Sequence, residues 1–350
     1  MDRKIVVGLA SYGLSGQVFH APLLHAHAGF QLKAIVERHK QLSVDRYPYV
    51  KIADDFMKLL DDPDIELVVI NTPDHLHYTM ALEALRAGKH VIVEKPFVLH
   101  SADGNHLIEE ASRRNLMLSV YHNRRWDNGF LTIRKIIEEN LLGRIVEYEA
   151  HFDRYRNFIQ DSWKEDPSHG TESIFNLGSH LIDQALVLFG IPDGVFADIR
   201  CQREGAKVND AFDLRFFYQD KRVLLKSSYL VKEPGPAYCL NGTEGSYVKF
   251  GIDPQEELLK SGRSPDEPGF GIENPKNWGI INFNNNGRSM RSPYETVPGN
   301  YLSFYSNIYG HLCYGTPQEV TATMANQVIC LIEACLKSMK ERRIVQPSCK

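Results

Sequence analysis

A chain of 350 residues is too long for one ordinary domain, so its length predicts two. Fractions of 43% hydrophobic and 24% charged residues are typical of soluble globular proteins, and a net charge of -4 argues against nucleic-acid binding. No apolar run is long enough to span a membrane and the N-terminus lacks a signal-peptide pattern, so we expect a cytoplasmic protein.

Short apolar runs alternate with amphipathic stretches through the N-terminal third of the chain, a pattern typical of a parallel sheet with crossover helices. The predicted strands cover residues 5–10, 32–36, 65–71, 91–93 and 116–121. One helix is predicted to begin at Gln17, and a second is predicted to end at residue 60 with Asp54 as its cap. Two more are predicted over residues 77–87 and, with Ser101 as its cap, over residues 102–114. The N-terminal part of the chain, residues 1–122, is therefore predicted to be an α/β domain.

The turn after the first strand has the spacing of a glycine-rich phosphate-binding turn: Ser11, Tyr12, Gly13, Leu14, Ser15, Gly16. Glycines in such a turn allow a tight bend, close approach of the backbone to a pyrophosphate, and close helix–strand packing. Gly13 and Gly16 fill the second and third roles, whereas Ser11 stands where the first glycine is usual. We expect the free N–H groups at the helix start to bind a pyrophosphate; the alternative is a turn without a ligand.

Glu37 ends the second strand about twenty residues after this turn, where an acid binds ribose hydroxyls. A carboxylate here would repel a 2′-phosphate and so favours NAD. Arg38, His39 and Lys40 follow directly, however, and a guanidinium could bind that phosphate. The sequence predicts NAD or NADP as cofactor, with NAD slightly favoured.

The stretch AGKHVIVEKP (residues 87–96) combines a helix end, a short strand and the sequence Glu94-Lys95-Pro96. In an open α/β sheet, residues that leave the carboxyl end of a strand enter the crevice where ligands bind. A lysine at this place, followed by a proline that fixes the backbone, is placed for chemistry. The alternative is a solvated Glu–Lys pair in a turn.

The second half begins with a predicted helix near residues 130–140 and then changes to β-type runs. These runs cover residues 145–152, 194–201, 211–218, 223–230 and 246–250. The turn from Tyr218 to Lys221 suits an antiparallel hairpin. Residues 254–300 are rich in Gly, Pro and Asn and predict a loop with little regular structure. The two domains are predicted to be residues 1–122 and 123–350.

A long terminal helix is predicted over residues 321–341, with a core-facing stripe formed by Val328, Leu331, Ile332, Cys335 and Met339. The six cysteines are scattered without a CxxC pair, which predicts reduced thiols and neither a disulfide framework nor a metal site. His75 and His77 lack further ligands at suitable spacing, so we predict no metal there either.

Several of these stretches together resemble the glucose–fructose oxidoreductase/inositol dehydrogenase (Gfo/Idh/MocA) family: the Gly13/Gly16 turn, Thr72-Pro73 with His77, and AGKHVIVEKP. Four more resemble its scyllo-inositol 2-dehydrogenase subgroup and that subgroup's uncharacterised relatives. They are YGLSGQVFHAPLL (12–24), SVYHNRRWDNGFLTI (119–133), GSHLIDQ (178–184) and KFGIDPQEE (249–257). The resemblance covers most of the chain.

The resemblance implies a Rossmann dinucleotide-binding domain followed by an α+β domain with an open, mostly antiparallel sheet. In this family that sheet often mediates oligomer contacts. A sheet with one free face needs covering, and a symmetric partner is the usual way. We therefore expect a homo-oligomer, a dimer or a tetramer, formed through the C-terminal sheet.

The resemblance also implies a catalytic set of Lys95 and His180. A histidine on a helix surface ordinarily has no role, but the family pattern places an Asp four residues before a catalytic His. This chain departs from the pattern, because Asn176 replaces that Asp. We expect His180 to be the general acid/base, Lys95 to polarise the reacting oxygen, and Asn176 only to position the substrate. Asn176 and His180 are four residues apart, so on a helix they share a face, and Asp183, three residues further on, lies on that face too and could orient the imidazole or meet the substrate.

The remaining predicted contacts rest partly on the residues themselves, such as the turn and the polar strand ends, and partly on the same resemblance. Around the cofactor we expect the six residues of the turn together with Glu37, Arg38, Thr72, Pro73, His77, Glu94, Lys95 and Arg125. Around a polyol we expect Asn123, Arg154, Tyr155, Trp163, Asp183 and Tyr301. For Asn123 and the two arginines after it, a structural ion-pair cluster is the alternative.

The leading hypothesis is an NAD(P)-dependent oxidoreductase that moves a hydride between nicotinamide and a secondary alcohol or ketone of a cyclitol or sugar. A second keeps this chemistry but acts on another sugar-derived or carbonyl substrate. A third is a catalytically silent, cofactor-binding regulatory protein, in which Asn176 marks lost chemistry. Lys95 and His180 together favour catalysis, since a silent binder would not need both.

Overall fold

The structure is a computed structural model that describes residues 3–162, 165–166, 172–285 and 287–349. They form two compact units. The first contains the chain up to Asn123 with Gln255–Phe270 and Asn300–Asn326, and the second contains Arg124–Pro254, Gly271–Gly299 and the chain from Gln327. Two later segments thus cluster with the N-terminal part, and the division into residues 1–122 and 123–350 stays a prediction.

The first unit is built on a six-stranded sheet in which every pair of neighbouring strands is parallel. Its strands are β1 Ile5–Leu9, β2 Phe30–Val36, β3 Lys51–Ala53, β4 Leu67–Ile70, β5 His90–Val93 and β6 Leu118–Val120, in the spatial order β3-β2-β1-β4-β5-β6. The central strands are buried because helices cover both faces of a parallel sheet. The predicted α/β fold class of this half is confirmed.

Crossover helices connect these strands. They are α1 Ala21–Ala26, preceded by a π-helix Gly16–His20; α2 Leu42–Arg46; α3 Met57–Leu60; α4 His77–Arg86, preceded by a 3-10 turn Asp74–Leu76; and α5 Ser101–Arg113. Two predicted caps are wrong. Asp55, not Asp54, accepts the N–H of Met57 at 2.7 Å, and Ser101 is the first residue of its helix and makes no side-chain cap.

Lys89, directly before β5, is buried and holds the segment between α3 and β4. Its ammonium donates to the carbonyl oxygens of Asp62 at 2.7 Å and Ile65 at 2.9 Å. Burial lowers the pKa of this lysine, against the charges of nearby aspartates. Lys89 is therefore a structural residue, although it lies in the same short stretch as Lys95.

The second unit carries an eight-stranded, mostly antiparallel sheet. Its strands are β7 Ile145–His151, β8 Gly194–Arg200, β9 Ala211–Phe217, β10 Arg222–Ser228, β11 Tyr238–Gly242, β12 Gly245–Lys249, β13 Gly279–Asn285 and β14 Arg288–Tyr294. The spatial order is β14-β13-β12-β11-β7-β10-β9-β8, and only the β7–β10 pair is parallel. The predicted hairpin is present: the N–H of Tyr218 donates to the carbonyl of Lys221.

The segment predicted to be a loop, residues 254–300, contains regular structure, so that prediction is wrong. It includes a short helix and the β13–β14 hairpin at the edge of the sheet. All but the last residue of β14 are exposed, and the strand contains Pro293. Such a strand lacks the alternating apolar pattern that sequence reasoning looks for, and an edge position tolerates the proline. Strand β11 was also not predicted.

The remaining helices are α6 Asn128–Glu138 and α7 Ser179–Phe189, then α8 Gln255–Lys260, α9 Leu302–Tyr314 and α10 Ala322–Glu341. The predicted stripe on α10 is buried except for Met339, which is 36% exposed. Within the described ranges, no helix is both long enough and apolar enough to cross a membrane.

Cys330 and Cys349 form a disulfide, with their Cα atoms 5.6 Å apart. The prediction of reduced thiols without a disulfide is therefore wrong for this pair. The chain after α10 returns to that helix, and this return brings together two cysteines that are 19 residues apart in sequence. No local motif announces such a pairing, because cysteine spacing alone does not determine connectivity.

Candidate functional site

The glycine-rich turn of the first unit lies between β1 and the π-helix Gly16–His20. Ser11, in place of the usual first glycine, accepts the N–H of Gly13 through its Oγ at 3.2 Å and so closes the turn. A Cβ on Gly16 would lie 2.5 Å from the carbonyl oxygen of Ser11 and 3.0 Å from Nδ2 of Asn71. Gly16 therefore has the close-packing role, while a Cβ on Gly13 would meet only Ser11 Oγ at 3.5 Å.

Gly16→Ala is expected to destabilise the protein by about 1–3 kcal/mol, because the added methyl group collides with main chain that cannot move away freely. Dinucleotide affinity should fall with it. Gly13→Ala is the matched control: the free protein has room for that methyl group, so its melting temperature should stay unchanged. Thermal unfolding and titration of reduced-nicotinamide fluorescence would check both variants. Equal melting temperatures for the two would contradict the packing role of Gly16.

Asn71, which follows β4, is a site residue that sequence reasoning missed. Its Nδ2 donates to the carbonyl of Ser11 at 2.8 Å and lies 3.4 Å from Ser15 Oγ. Its Oδ1 is buried and has no hydrogen-bond partner among the described residues. A polar residue directly after a buried strand is the available signal, but the strand predicted over residues 65–71 includes Asn71, whereas β4 ends at Ile70. A tight Gly16 contact and an unsatisfied acceptor beside the turn fit a bound dinucleotide.

Glu37 has a structural partner in addition to its predicted ribose contact. Its two carboxylate oxygens accept the N–H groups of Leu42 and Ser43, each at 2.9 Å, at the start of α2. Arg38, His39 and Lys40 are exposed in the loop between them. The carboxylate is thus oriented by α2, and the three basic side chains are available at the end of β2.

His77 is fully buried and connects the ends of β4 and β5. Its ring nitrogens lie 3.0 Å from the carbonyl oxygen of Thr72 and 2.7 Å from that of Pro96. Both ring nitrogens thus lie within hydrogen-bond distance of main-chain carbonyl oxygens, and a ring nitrogen that carries a proton donates to its carbonyl. His77 holds the two segments predicted to meet the cofactor, and its own contact with the cofactor stays a prediction.

Glu94 and Lys95 lie at the carboxyl end of β5, as the sequence predicts. Glu94 is 8% exposed, and its Oε2 accepts the N–H of Lys95 at 2.9 Å. Burial raises the pKa of this carboxyl, but the hydrogen bond and charge of His20 and the charge of Lys95 outweigh it and lower the pKa overall. Glu94 is therefore a buried carboxylate beside the half-buried Lys95. The alternative interpretation of this stretch, a solvated Glu–Lys pair in a turn, is excluded because Glu94 is buried.

The second unit positions the other predicted catalytic residues on a helix that starts with a π-helical segment, Ile174–Gly178, and continues as α7. Asn176 is half-buried within the π segment, and His180 is 6% exposed in the first turn of α7. The α-helical spacing used to place them on one face therefore does not apply between them. Single π turns inside helices occur frequently at functional sites.

The start of this helix is held by a loop from another part of the sheet. Ser173 donates its N–H to the carbonyl of Asn209, and its Oγ lies 2.8 Å from Asn209 Oδ1. The neighbouring Asp210 accepts from the buried Arg203 guanidinium at 2.8 Å. This chain of contacts fixes the segment that carries Asn176 and His180.

Asp183 makes a buried, two-pronged ion pair with Arg125. Arg125 donates from Nε to Asp183 Oδ2 at 2.8 Å and from Nη2 to Asp183 Oδ1 at 2.6 Å. The side chain of Arg125 is 6% exposed and that of Asp183 is 3% exposed. Arg124 similarly pairs with Asp127 at 3.1 Å and lies over the ring of Phe152. Ion pairs are what the structural alternative predicts for these arginines, and their contacts with cofactor or substrate stay predictions.

A small cavity of about 20 Å³ lies beside His180 within the second unit, large enough for one water molecule. Arg124, Asp127, Gln184 and Tyr238 are among the residues that line it. The cavity is too small for a sugar ring. It can hold a water molecule next to the imidazole, but it is not a substrate pocket.

The other predicted substrate residues have different environments. Arg154 is half-buried with its guanidinium over the Phe152 ring, Tyr155 is 50% exposed, and Asn123 is buried. Tyr301 is completely buried, and its contact with a substrate stays a prediction. Trp163 lies outside the described residues. Across the described ranges, no group of three or more His, Cys, Asp or Glu residues could hold a metal.

Comparison with known proteins gives consistent results. The family model described as "Oxidoreductase family, NAD-binding Rossmann fold" matches residues 3–122, and the model for its C-terminal alpha/beta domain matches residues 134–346. The scyllo-inositol 2-dehydrogenase (NADP(+)) IolW of Bacillus subtilis is 38% identical over 97% of this chain and 95% of its own. The uncharacterized oxidoreductase YdgJ of Escherichia coli is 36% identical over 98% of both. A solved structure from Bacteroides fragilis is 47% identical, covers 98% of this chain and 100% of its own, and has a TM-score of 0.92.

Proposed function

The chain belongs to the Gfo/Idh/MocA oxidoreductase family, and from this premise we propose that it moves a hydride between nicotinamide and a secondary alcohol or ketone of a cyclitol or sugar. The family resemblance and the two-part fold expected from the sequence are confirmed. Its relatives establish the coarser activity, that of an NAD(P)-dependent dehydrogenase acting on CH–OH groups. The substrate class and the roles of single residues are the proposal.

The observation that carries the proposal is that both predicted catalytic side chains are present and held by their surroundings. Lys95 follows β5, with its main chain fixed by the buried Glu94 carboxylate. His180 is buried in the first turn of a helix whose start is anchored by Asn209. A protein that only binds the cofactor would gain nothing from keeping both groups in fixed environments.

The chemistry divides into a hydride and a proton. A dinucleotide held at the turn from Ser11 to Gly16 would supply a nicotinamide as the hydride acceptor in the oxidation and the hydride donor in the reduction. His180 takes the hydroxyl proton in the oxidation and donates it in the reduction, as a general base and acid. The Lys95 ammonium donates a hydrogen bond to the reacting oxygen and stabilises the negative charge that develops there. Asn176 can donate to or accept from a substrate hydroxyl but carries no charge.

For the cofactor, we propose NADP, whereas the sequence alone slightly favours NAD. Both oxygens of Glu37 are engaged by the N–H groups of Leu42 and Ser43, which orients the carboxylate toward α2. Arg38, His39 and Lys40 are exposed next to it, and a guanidinium can bind a 2′-phosphate through two hydrogen bonds. The named activity of the Bacillus subtilis relative with NADP supports this choice.

The test is an absorbance assay of nicotinamide reduction with purified protein. NAD and NADP would be offered separately against inositol isomers, inososes and common sugars. Turnover of an inositol with NADP establishes the proposal, and turnover of a different sugar replaces the substrate while retaining the chemistry. Cofactor binding without turnover on any of these compounds would favour the silent binder, for which Asn176 is the one supporting observation.

Asn176→Asp is expected to raise kcat by about tenfold or to move the pH optimum. The carboxylate would add a charge that can stabilise a protonated His180 and relay its proton, which an amide cannot do. Asn176→Ala serves as the control, because it removes the hydrogen-bonding group without adding charge and should chiefly raise KM. A pH profile of kcat for the three proteins checks this, and identical profiles for wild type and Asn176→Asp would show that the replacement is neutral.

We also propose that the protein is a homo-oligomer assembled through the eight-stranded sheet. Strands β9 and β10 alternate buried with half-buried or exposed residues, so one face of the sheet packs on its helices and the other is available. That open face carries a depression of about 440 Å³ lined by charged residues, among them Asp198, which pairs with Arg200, and Lys226, which pairs with Glu149. Light scattering after size-exclusion chromatography would determine the number of subunits.

A further inference from the structure

A buried chain of three polar side chains runs through the first unit. His20, at the end of the π-helix Gly16–His20, contacts Tyr305 Oη through Nδ1 at 2.7 Å and Glu94 Oε1 through Nε2 at 3.0 Å. His20 and Tyr305 are 0% exposed and Glu94 is 8% exposed. The imidazole also packs on the ring of Tyr121, with the ring centroids 4.4 Å apart. The mechanism above does not use His20 or Tyr305.

The hydrogen-bond partners determine where the protons lie. A carboxylate only accepts, so Nε2 of His20 donates to Glu94, while Nδ1 and the Tyr305 hydroxyl share the second hydrogen bond. Burial, and to a lesser degree the Glu94 charge, raises the pKa of Tyr305 well above its usual value, so the phenol keeps its proton. Both contacts of the chain are therefore hydrogen bonds, and the Glu94 carboxylate is the acceptor at one end.

The other oxygen of Glu94 connects this chain to the catalytic lysine. Oε2 accepts the main-chain N–H of Lys95 at 2.9 Å, while Oε1 is the atom bound by His20. The three side chains come from three elements: the π-helix that begins in the phosphate-binding turn, the end of β5, and α9. A carboxylate bound at both oxygens has one orientation, and that orientation fixes the backbone from which Lys95 extends.

We propose that His20, supported by Tyr305, is a positioning residue that sets the place of Lys95 by holding the Glu94 carboxylate. This inference rests on the proposed function, since the role of Lys95 belongs to it. The π-helix that ends in His20 starts at Gly16, so one short segment supports both the cofactor turn and the lysine. A network kept only for stability would make the same contacts but would leave the rate per folded molecule unchanged.

The experiment compares wild type with His20→Leu, His20→Gln and Tyr305→Phe. Leu removes both hydrogen bonds, Gln can restore a donor and an acceptor, and Phe removes only the hydroxyl. We expect kcat to fall by about 10- to 100-fold in His20→Leu, because small displacements of a catalytic group are costly. The KM for the alcohol should stay within about threefold. His20→Gln should recover most of the loss, and Tyr305→Phe should lie between.

A second measurement does not depend on turnover. Amide hydrogen exchange reports the protection of the Lys95 N–H, which should fall in His20→Leu and return in His20→Gln, with cofactor titration confirming that each variant is folded. Unchanged kcat and unchanged Lys95 protection in a folded His20→Leu would overturn the inference. If wild type turns over no alcohol and the Lys95 N–H still loses protection in His20→Leu, the positioning role is supported and the proposed function is rejected.

Discussion

Lys95→Met is expected to lower kcat/KM by about 10²- to 10⁴-fold, the range found when a positioned proton-transfer or charge-stabilising group is removed. Methionine keeps the length and the apolar part of the side chain but cannot donate a hydrogen bond to the reacting oxygen. Lys95 is half-buried, so the melting temperature should change little. Steady-state kinetics with saturating cofactor and a thermal melt would check both statements.

Lys89→Met is the matched control, because Lys89 lies six residues earlier in the same stretch and has the opposite role. Its ammonium is buried and satisfies two main-chain carbonyls, those of Asp62 and Ile65. Removing it leaves these carbonyls without their donor, at a cost of about 1–3 kcal/mol in stability. The rate per folded molecule should be preserved. Loss of activity in Lys89→Met with full activity in Lys95→Met would reject the assignment of Lys95.

Asp183→Ala is expected to reduce the free energy of unfolding by about 3–5 kcal/mol, because it leaves the buried Arg125 guanidinium without its carboxylate. Urea denaturation monitored by fluorescence would measure this. If Asp183 acted mainly on the substrate, as the sequence alone allowed, the variant would keep its stability and show a raised KM. The two roles therefore give results that are easily distinguished.

The double variant Arg125→Leu/Asp183→Leu completes this test. Replacing both members of a buried ion pair by apolar residues is often neutral or stabilising, whereas removing one member is not. Stability in the double variant should therefore recover most of what Asp183→Ala loses. A double variant as unstable as the single one would show that the pair is not the cause, and that other contacts of Asp183 account for the loss.

The sequence predicted the elements whose signals are local. Strands β4 and β5 of the first unit are almost wholly buried runs and begin within two residues of their predicted starts, whereas the short, mostly unburied strand β3 was not predicted. The hairpin at Tyr218 to Lys221 and the terminal helix α10 were also predicted from pattern. The β13–β14 hairpin was not, because the exposed edge strand β14 carries polar residues and a proline and has no buried face to impose alternation.

For the site, the sequence identified residue types and their positions at strand ends, and the tertiary structure decided what those residues contact. Gly16, Glu94 and Lys95 follow from the β–α–β order, since parallel strands deliver their carboxyl ends to one edge. Four contacts were identified only from the tertiary structure. They are Asn71 with the phosphate-binding turn, Glu37 with the start of α2, Asp183 with Arg125, and Cys330 with Cys349. Apart from Glu37, whose partners lie five and six residues away, these residues are separated in sequence by distances that carry no pattern, so the packing of the chain brings them together.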